Sequence, residues 1–228
     1  MRRFIRDISS VLMIAGALLL IDAAVTLAWQ EPLTAVIGKV QQSNINRQFL
    51  SFTTTPLSPV DTRALVDVKS EKKRISYLAR REERQVPVGD AMGRIVMRRI
   101  GASFDIVQGT DASSLQKGPG HYPETSLPGL GQTVAIAGHR TTYLAPFRHI
   151  DSLKPGDQIQ VKMPYADFTY TVQYHRIVLP TALWVIKNVG YDRLVLSACN
   201  PLYSAAQRII VFAKLTHFEA LGAARAKA

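Results

Sequence analysis

Apolar residues are concentrated near the amino terminus. The 19 residues from Val11 to Trp29 form an apolar stretch interrupted by a single charge, Asp22, and their number is close to the ~20 residues that cross a bilayer as a helix. Arginines at positions 2, 3 and 6 precede this stretch and few basic residues follow it closely, which predicts a cytoplasmic segment at 1–10. A cleaved signal peptide is the alternative, but its apolar region is usually shorter. The sequence therefore predicts a single-pass anchor at 11–29 in the cell membrane, with the rest of the chain outside.

The region from residue 30 to residue 92 has no regular period and is predicted to be an extracytoplasmic linker or appendage. A helix is expected near Leu33–Phe49. The Ser, Thr and Pro residues of Ser51–Pro59 predict a break in helical structure. The run Lys69–Arg84 contains seven basic and three acidic residues, which predicts a solvated helix. Contact of that run with anionic lipid or wall polymer is an alternative hypothesis.

Beyond Gly93 the spacing of apolar residues changes to a period of two, which is typical of half-buried strands. Short strands separated by turns, with few long helical patterns, predict an all-β sandwich or closed barrel at 93–217, followed by a tail at 218–228. The predicted strands are Arg94–Arg99, Ser103–Val107, Val134–Ala137, Gln158–Met163, Phe168–His175, Arg193–Ala198 and Arg208–Leu215.

The formal net charge of +11 indicates an anionic partner or surface, and charge alone does not identify it. No zinc-finger spacing, aromatic RNA-binding motif or phosphate loop accompanies the basic residues, so we expect no nucleic-acid partner. The chain has one cysteine, which excludes an intramolecular disulfide and a cysteine-based metal cluster.

That cysteine, Cys199, has neighbours that indicate chemistry. It ends an apolar strand and is followed by Asn200-Pro201, so the thiol is expected at a strand end beside a groove. Arg208 begins the next apolar strand, and His139 follows another. A thiol nucleophile needs a base or cation nearby, and acyl transfer needs a donor for the oxyanion and an acid for the leaving amine. Cys199, His139 and Arg208 can meet these needs together.

Two segments carrying these residues resemble the sortases, particularly class E. The run from Ala137 to Tyr143 with Ala145-Pro146-Phe147 is similar to the histidine motif of that family. Leu194–Pro201, with Arg208 nine positions after the cysteine, resembles its cysteine and arginine strands. The resemblance extends over about 93–215 and includes Gly118–Pro123.

The resemblance implies a closed eight-stranded sortase barrel with short helices, preceded by one transmembrane helix and a linker. It also implies transpeptidation. Cys199 would attack the threonine carbonyl of a C-terminal sorting motif of the LAxTG or LPxTG type, Arg208 would stabilise the oxyanion, and His139 would protonate the leaving amide nitrogen. The implied partners are sorting-motif proteins and, as acceptor, a cell-wall precursor amine or a pilin lysine.

Finer assignments follow from position within the motifs. Tyr143 is expected to contact the sorting motif, and Ser197 and Ala198 stand where the family more often has threonines, so they are expected to influence substrate choice. No acidic cluster lies beside the site, and we expect neither metal nor other cofactor. The alternatives are a wall enzyme of the L,D-transpeptidase type, whose usual Gly-Cys-Ile/Val-Arg run is missing around Cys199, and an inactive, membrane-tethered sortase-fold binding protein.

Overall fold

The computed structural model describes residues 2–28 and 32–225. The end of the predicted anchor and the start of the predicted linker, Trp29 to Glu31, lie outside the described residues, as do residues 226–228 of the predicted tail. Helix α1 (Arg2–Ala28) contains residues 11–28 of the predicted anchor. Its segment Arg6–Val25 is long and apolar enough to cross a membrane, and none of it is buried against the rest of the protein. The apolar side chains of Arg6–Val25 therefore lack a protein core of their own.

Three helices occupy the region that was predicted to be mainly a linker: α2 (Pro32–Thr54), α3 (Pro59–Leu65) and α4 (Glu71–Gln85). The predicted break at Ser51–Pro59 is wrong in its first half, because α2 continues to Thr54. The chain leaves the helix only at 55–58, where Ser58 accepts a hydrogen bond from the Asp61 amide and caps α3. Serine and threonine are weak helix formers, but here the hydroxyls of Ser51, Thr53 and Thr54 donate to carbonyls three or four residues back along the same helix.

The predicted helix in the basic run is present as α4, but it is not solvated all round. Ile75, Leu78 and Ala79 lie on one face and are buried. Ile75 contacts the backbone near Gly129, which has a φ of +96° and no room for a side chain. This apolar stripe explains why a strongly basic segment packs against the folded domain.

The strands form a closed barrel, as predicted. The strands are β1 (Ala91–Met97), β2 (Ala102–Gln108), β3 (Gly120–His121), β4 (Thr133–Ala137), β5 (Gln158–Met163), β6 (Ala166–Val178), β7 (Arg193–Asn200) and β8 (Gln207–Ala220), with a short helix α5 (Ala112–Leu115) between β2 and β3. They extend two residues before and three residues beyond the predicted range 93–217.

The order around the barrel is β1-β2-β3-β4-β7-β8-β6-β5, and β5 closes it by pairing with β1. The pairs β2 with β3 and β4 with β7 are parallel, and the others are antiparallel. Because β4 and β7 run in the same direction, both end at one end of the barrel. We call this the upper end, and the opposite end, where β5 turns into β6 at Pro164 and Tyr165, the lower end.

Alternate residues of the central strands point into the barrel. On β7, Leu194, Leu196 and Ala198 belong to the interior cluster, whereas Val195 packs in a second cluster on the outer face. The same alternation places Ile210 and Phe212 of β8 on the outer face. Odd positions of β7 and even positions of β8 therefore share the outer surface.

Candidate active site

His139 lies two residues beyond the upper end of β4, and its backbone is fixed from both sides. The Gly138 amide donates to the Ser197 carbonyl over 3.0 Å, which continues the ladder between β4 and β7 by one residue. The Phe147 amide donates to the His139 carbonyl over 2.9 Å. A Cβ atom on Gly138 would lie 2.6 Å from the Phe147 ring, so only glycine fits before this histidine.

Cys199 and Arg208 are direct cross-strand partners of β7 and β8. Both lie on the outer face by the alternation described above, so their Cβ atoms are expected about 4.5–5.5 Å apart. Cys199 is a free thiol of intermediate exposure. Arg208 Nη1 donates to the carbonyls of Ala205 and Gln207, each over 2.9 Å, which holds the guanidinium at the turn between the strands. These bonds leave the N–H groups of Nε and Nη2 available for a reacting oxygen.

The histidine falls on the other side of the cysteine. Ala137, the last residue of β4, pairs with Ser197 in the parallel ladder, so His139, two positions beyond the strand, comes level with Cys199. Adjacent strands are about 4.8 Å apart. The three predicted catalytic residues thus lie side by side in the order His139, Cys199, Arg208, at the upper end of three neighbouring strands.

The imidazole of His139 is partly enclosed. Burial lowers its pKa below the ordinary value, because desolvation disfavours the charged form. The Tyr143 ring lies 5.4 Å from the imidazole, centroid to centroid, at an interplanar angle of 39°. Tyr143 therefore lies beside the histidine. That it contacts the sorting motif stays a prediction.

The loop that carries Tyr143 has an unusual backbone. Tyr143, Leu144 and Ala145 have φ values of 48°, 65° and 43°, which for non-glycine residues require support from the surrounding structure. Helix α2 supplies part of that support. The Tyr143 amide donates to the Thr34 hydroxyl over 3.1 Å, and Gly38 packs directly on the backbone of Tyr143.

Arg140 is a component of the site to which the sequence assigned no role. Only 3% of its side chain is exposed, and it pairs with Asp151 over 2.8 Å. Its guanidinium also donates to the carbonyl oxygens of Cys199 and Arg148 and to the Asn200 side chain, over 3.2–3.4 Å. The signal was present in the sequence as an arginine inside the histidine motif, but its burial was not visible there.

The remaining predicted residues are less accessible. Ser197 shares the face of Cys199 but is only 4% exposed, and Ala198 faces the barrel interior. Contact of Ala198 with a peptide would therefore be through its backbone. His121 is buried away from the site, between the Gln108 side chain and the Ser126 carbonyl, as expected of a structural histidine. Within 2–28 and 32–225, no group of three or more His, Cys, Asp or Glu side chains is placed to hold a metal ion.

The closed eight-stranded barrel is the fold that the resemblance to the sortases implied. The family model for the Sortase domain matches residues 95–216, which is more than half of the chain. The chain therefore belongs to the sortase family, as its motifs predicted.

The chain is similar in sequence to sortases of more than one class. Sortase D of Bacillus subtilis is 33% identical over 131 residues, which are 55% of this chain and 64% of that protein. Sortase SrtE1 of Streptomyces coelicolor is 31% identical over 110 residues, 42% of this chain and 31% of that protein. The chain thus spans less than two thirds of the length of these curated relatives.

Among solved structures, Sortase E1 from Streptomyces coelicolor, with a tripeptide in its active site, superposes with a TM-score of 0.57 at 26% identity. The match covers 60% of this chain and 93% of that one. The SrtE1 sequence and this structure support the predicted likeness to class E, and the match to Sortase D extends over a longer part of the chain.

Proposed function

We propose that this protein is a cysteine transpeptidase that cleaves a C-terminal sorting motif of the LAxTG or LPxTG type between threonine and glycine and joins the threonine to an amine. The observation that carries the proposal is that His139, just beyond the end of β4, comes level with Cys199 of β7, whose cross-strand partner on β8 is Arg208. A thiol alone is a weak candidate, whereas a thiol between an imidazole and a guanidinium has every group that acyl transfer needs.

In the first half-reaction the Cys199 thiolate attacks the threonine carbonyl, forming a carbon–sulfur bond and an oxyanion. Arg208 donates hydrogen bonds to that oxyanion from the N–H groups not used by the turn. The carbon–nitrogen bond to glycine then breaks, and the His139 imidazolium gives its proton to the leaving nitrogen. The lowered pKa of His139 makes its imidazolium a stronger acid, which favours this transfer.

In the second half-reaction an amine attacks the thioester. Neutral His139 accepts the proton that the amine loses, the carbon–sulfur bond breaks, and a new amide bond forms while Cys199 returns to the thiolate. The acceptor in this proposal is a cell-wall precursor amine, with a pilin lysine as the less favoured acceptor. Helix α1 would anchor the enzyme in the cell membrane with residues 1–10 in the cytoplasm and the barrel outside.

The test is cleavage of a fluorogenic LAxTG peptide by the chain from residue 30 onward, with and without an added amine. We expect cleavage by the parent, diversion to a ligated product by the amine, and loss of both in Cys199→Ala. Cys199→Ala removes one sulfur atom from a partly exposed position, so circular dichroism should show an unchanged fold.

A parent protein that bound the peptide but neither cleaved nor ligated it would support the inactive, tethered binding protein instead. Peptides in which the second and third motif positions are varied would then show whether the preferred motif differs from LAxTG. Membership of the sortase family argues against the L,D-transpeptidase alternative.

A further inference from the structure

Helix α2 has an apolar face that points away from the barrel. Leu33, Val36, Ile37 and Val40 are 73%, 67%, 48% and 58% exposed. Their spacing of three, one and three residues places them on one side of the helix. We call these four residues the α2 stripe. The opposite side carries the contacts with the barrel, from Thr34 and Gly38 at the upper end to Ile45 and Phe49 further along.

The stripe covers only the first turns of α2. The same side of the helix continues with Asn44 and Arg47, which are exposed and polar. A helix that meets water along its whole outer side is normally polar throughout that side. The change from apolar to polar along one face indicates that the first turns of α2 and the later ones meet different surroundings.

The chain itself identifies those surroundings. The span that can cross a membrane ends at Val25, and α2 begins at Pro32. Seven residue steps extend at most about 25 Å, so the start of α2 lies within that distance of the end of the span. Apolar side chains this close to a bilayer can be buried in it, and Lys39, exposed beside the stripe, can reach lipid phosphates with its ammonium group.

We infer that the α2 stripe lies in the interface of the outer leaflet, between headgroups and acyl chains, while Asn44 and Arg47 stay in water. The inference rests on the anchoring proposed for α1 and does not depend on the sorting chemistry. The α2 stripe contacts lipid in this inference, because it follows the membrane span directly along the chain and ends where the helix face becomes polar.

The orientation of the enzyme follows from what α2 touches. Thr34 accepts from the Tyr143 amide, and Gly38 packs on Tyr143 and Leu144, so the start of α2 is fixed to the loop that follows His139. A membrane-embedded stripe therefore turns the upper end of the barrel, with its catalytic residues, toward the bilayer. Substrates held at the headgroup level would then lie close to Cys199.

The basic helix α4 is at the other end. Ser76 donates to the Gly129 carbonyl and Arg74 to the Ala223 carbonyl, and both acceptors belong to the lower end of the barrel. The inference thus places the Lys69–Arg84 run away from the membrane. It contradicts the alternative hypothesis, from charge alone, that this run lies on anionic lipid.

Site-directed spin labelling of the full chain in vesicles tests the inference. In a Cys199→Ala background, a nitroxide is attached to Val36→Cys, Arg47→Cys or Arg80→Cys, and the vesicles contain phosphatidylcholine and phosphatidylglycerol. All three positions are exposed, so the labels leave the core intact. Arg47 is the matched control on the same helix face, about 16 Å further along the axis, and Arg80 reports on α4.

For each label, the measured quantity is its collision rate with oxygen divided by its collision rate with a nickel chelate. Oxygen concentrates among the acyl chains, so we expect this ratio at position 36 to be at least about three times the ratio at positions 47 and 80. Equal ratios at 36 and 47 in protein that floats with the vesicles would overturn the inference but leave the anchor intact. Spin–spin broadening at position 36 that disappears on dilution with unlabelled protein would also overturn the inference, because it would show that the α2 stripe contacts a second copy of the protein and not lipid. Failure of the protein to float would overturn both the anchor and the inference.

Discussion

Arg140 Nη1 donates a hydrogen bond to the backbone carbonyl of Cys199 over 3.4 Å. The arginine directly follows His139, so one buried side chain joins the segment carrying the histidine to the strand carrying the cysteine. The Asn200 side chain and the Arg148 carbonyl accept from the same guanidinium. Only a planar group with several N–H donors can reach these acceptors at once.

We expect Arg140→Met to lower both stability and turnover. The substitution removes the donors to the part-buried carbonyls of Cys199 and Arg148, which costs about 1–3 kcal/mol of unfolding free energy. Turnover should fall more than peptide affinity, because the distance between His139 and Cys199 is no longer fixed. Urea unfolding and separate determination of kcat and KM measure the two effects.

Asp151→Asn is the matched control for Arg140→Met. It weakens the ion pair but keeps every carbonyl contact of the arginine, and Asp151 is 52% exposed. The loss should be smaller than that from Arg140→Met, with kcat near that of the parent, because the asparagine oxygen can still accept from the buried guanidinium. Equal damage from both substitutions would show that the ion pair, and not the carbonyl contacts, is the important interaction.

Gly38→Ala should reduce activity without reducing stability. Alanine favours the helix by up to about 1 kcal/mol over glycine, but its Cβ would lie 3.0 Å from the Tyr143 carbonyl carbon and 3.1 Å from Leu144 Cγ. The loop must shift, and the Tyr143 ring beside His139 shifts with it. We expect a several-fold fall in kcat/KM with an unchanged or higher Tm.

Ser43→Ala provides the comparison for Gly38→Ala, because it lies on the exposed side of α2 and does not meet the loop. It should retain parental activity. If Gly38→Ala were as active as Ser43→Ala, the contact between α2 and the loop would have no influence on the site.

Arg208→Lys should remove most of the turnover. An ammonium group cannot bond the carbonyls of Ala205 and Gln207 and also present a fork of donors to the reacting oxygen. Loss of an oxyanion donor typically lowers kcat by about 10²–10³-fold. We expect a fall of this order with a smaller change in KM, measured by peptide cleavage. Arg98→Lys, on the exposed turn after β1, should behave as the parent.

The stability of the protein should contain an acid-sensitive contribution from His121. Burial lowers the pKa of this histidine to about 4, against an ordinary value of 6.5, and the Ser126 carbonyl opposes part of that change. The unfolded state therefore binds more protons between these values, and stability is lost as the pH falls from 6.5 to 4. The expected loss is about 3 kcal/mol, from 1.36 kcal/mol for each unit of pKa difference.

The comparison of the parent with His121→Gln isolates this contribution. Glu82 acts in the opposite direction, because burial raises its pKa to about 8 and its protonation stabilises the fold as the pH decreases. Both proteins share that effect, so it cancels in the difference between their urea-unfolding curves at pH 7 and pH 4.5. His217→Gln, at an exposed position, is the control for the change from histidine to glutamine itself. A parental dependence in His121→Gln would exclude His121 as its source.

Several elements could be predicted because their signals are local. The strict alternation at Gln158–Met163 gave β5 with the observed bounds, and the proline after Asn200 marked the end of β7 near the thiol. By contrast, β3 is only two residues long and has no period to detect. The continuation of α2 through Ser51–Thr54 could not be predicted from propensity, because these residues are weak helix formers that lie exposed in the last turn of the helix.

The sequence by itself determined the apolar span, the β-rich domain and the three chemical groups, because spacing and composition within short segments are sufficient for these features. The tertiary structure decided which groups meet. Tyr143 is 109 residues from Thr34, and Cys199 is 59 residues from Arg140, and neither contact leaves a periodic pattern in the chain. The face on which Ala198 lies likewise depends on the barrel, since a strand's alternation shows that there are two faces but not which one encloses the core.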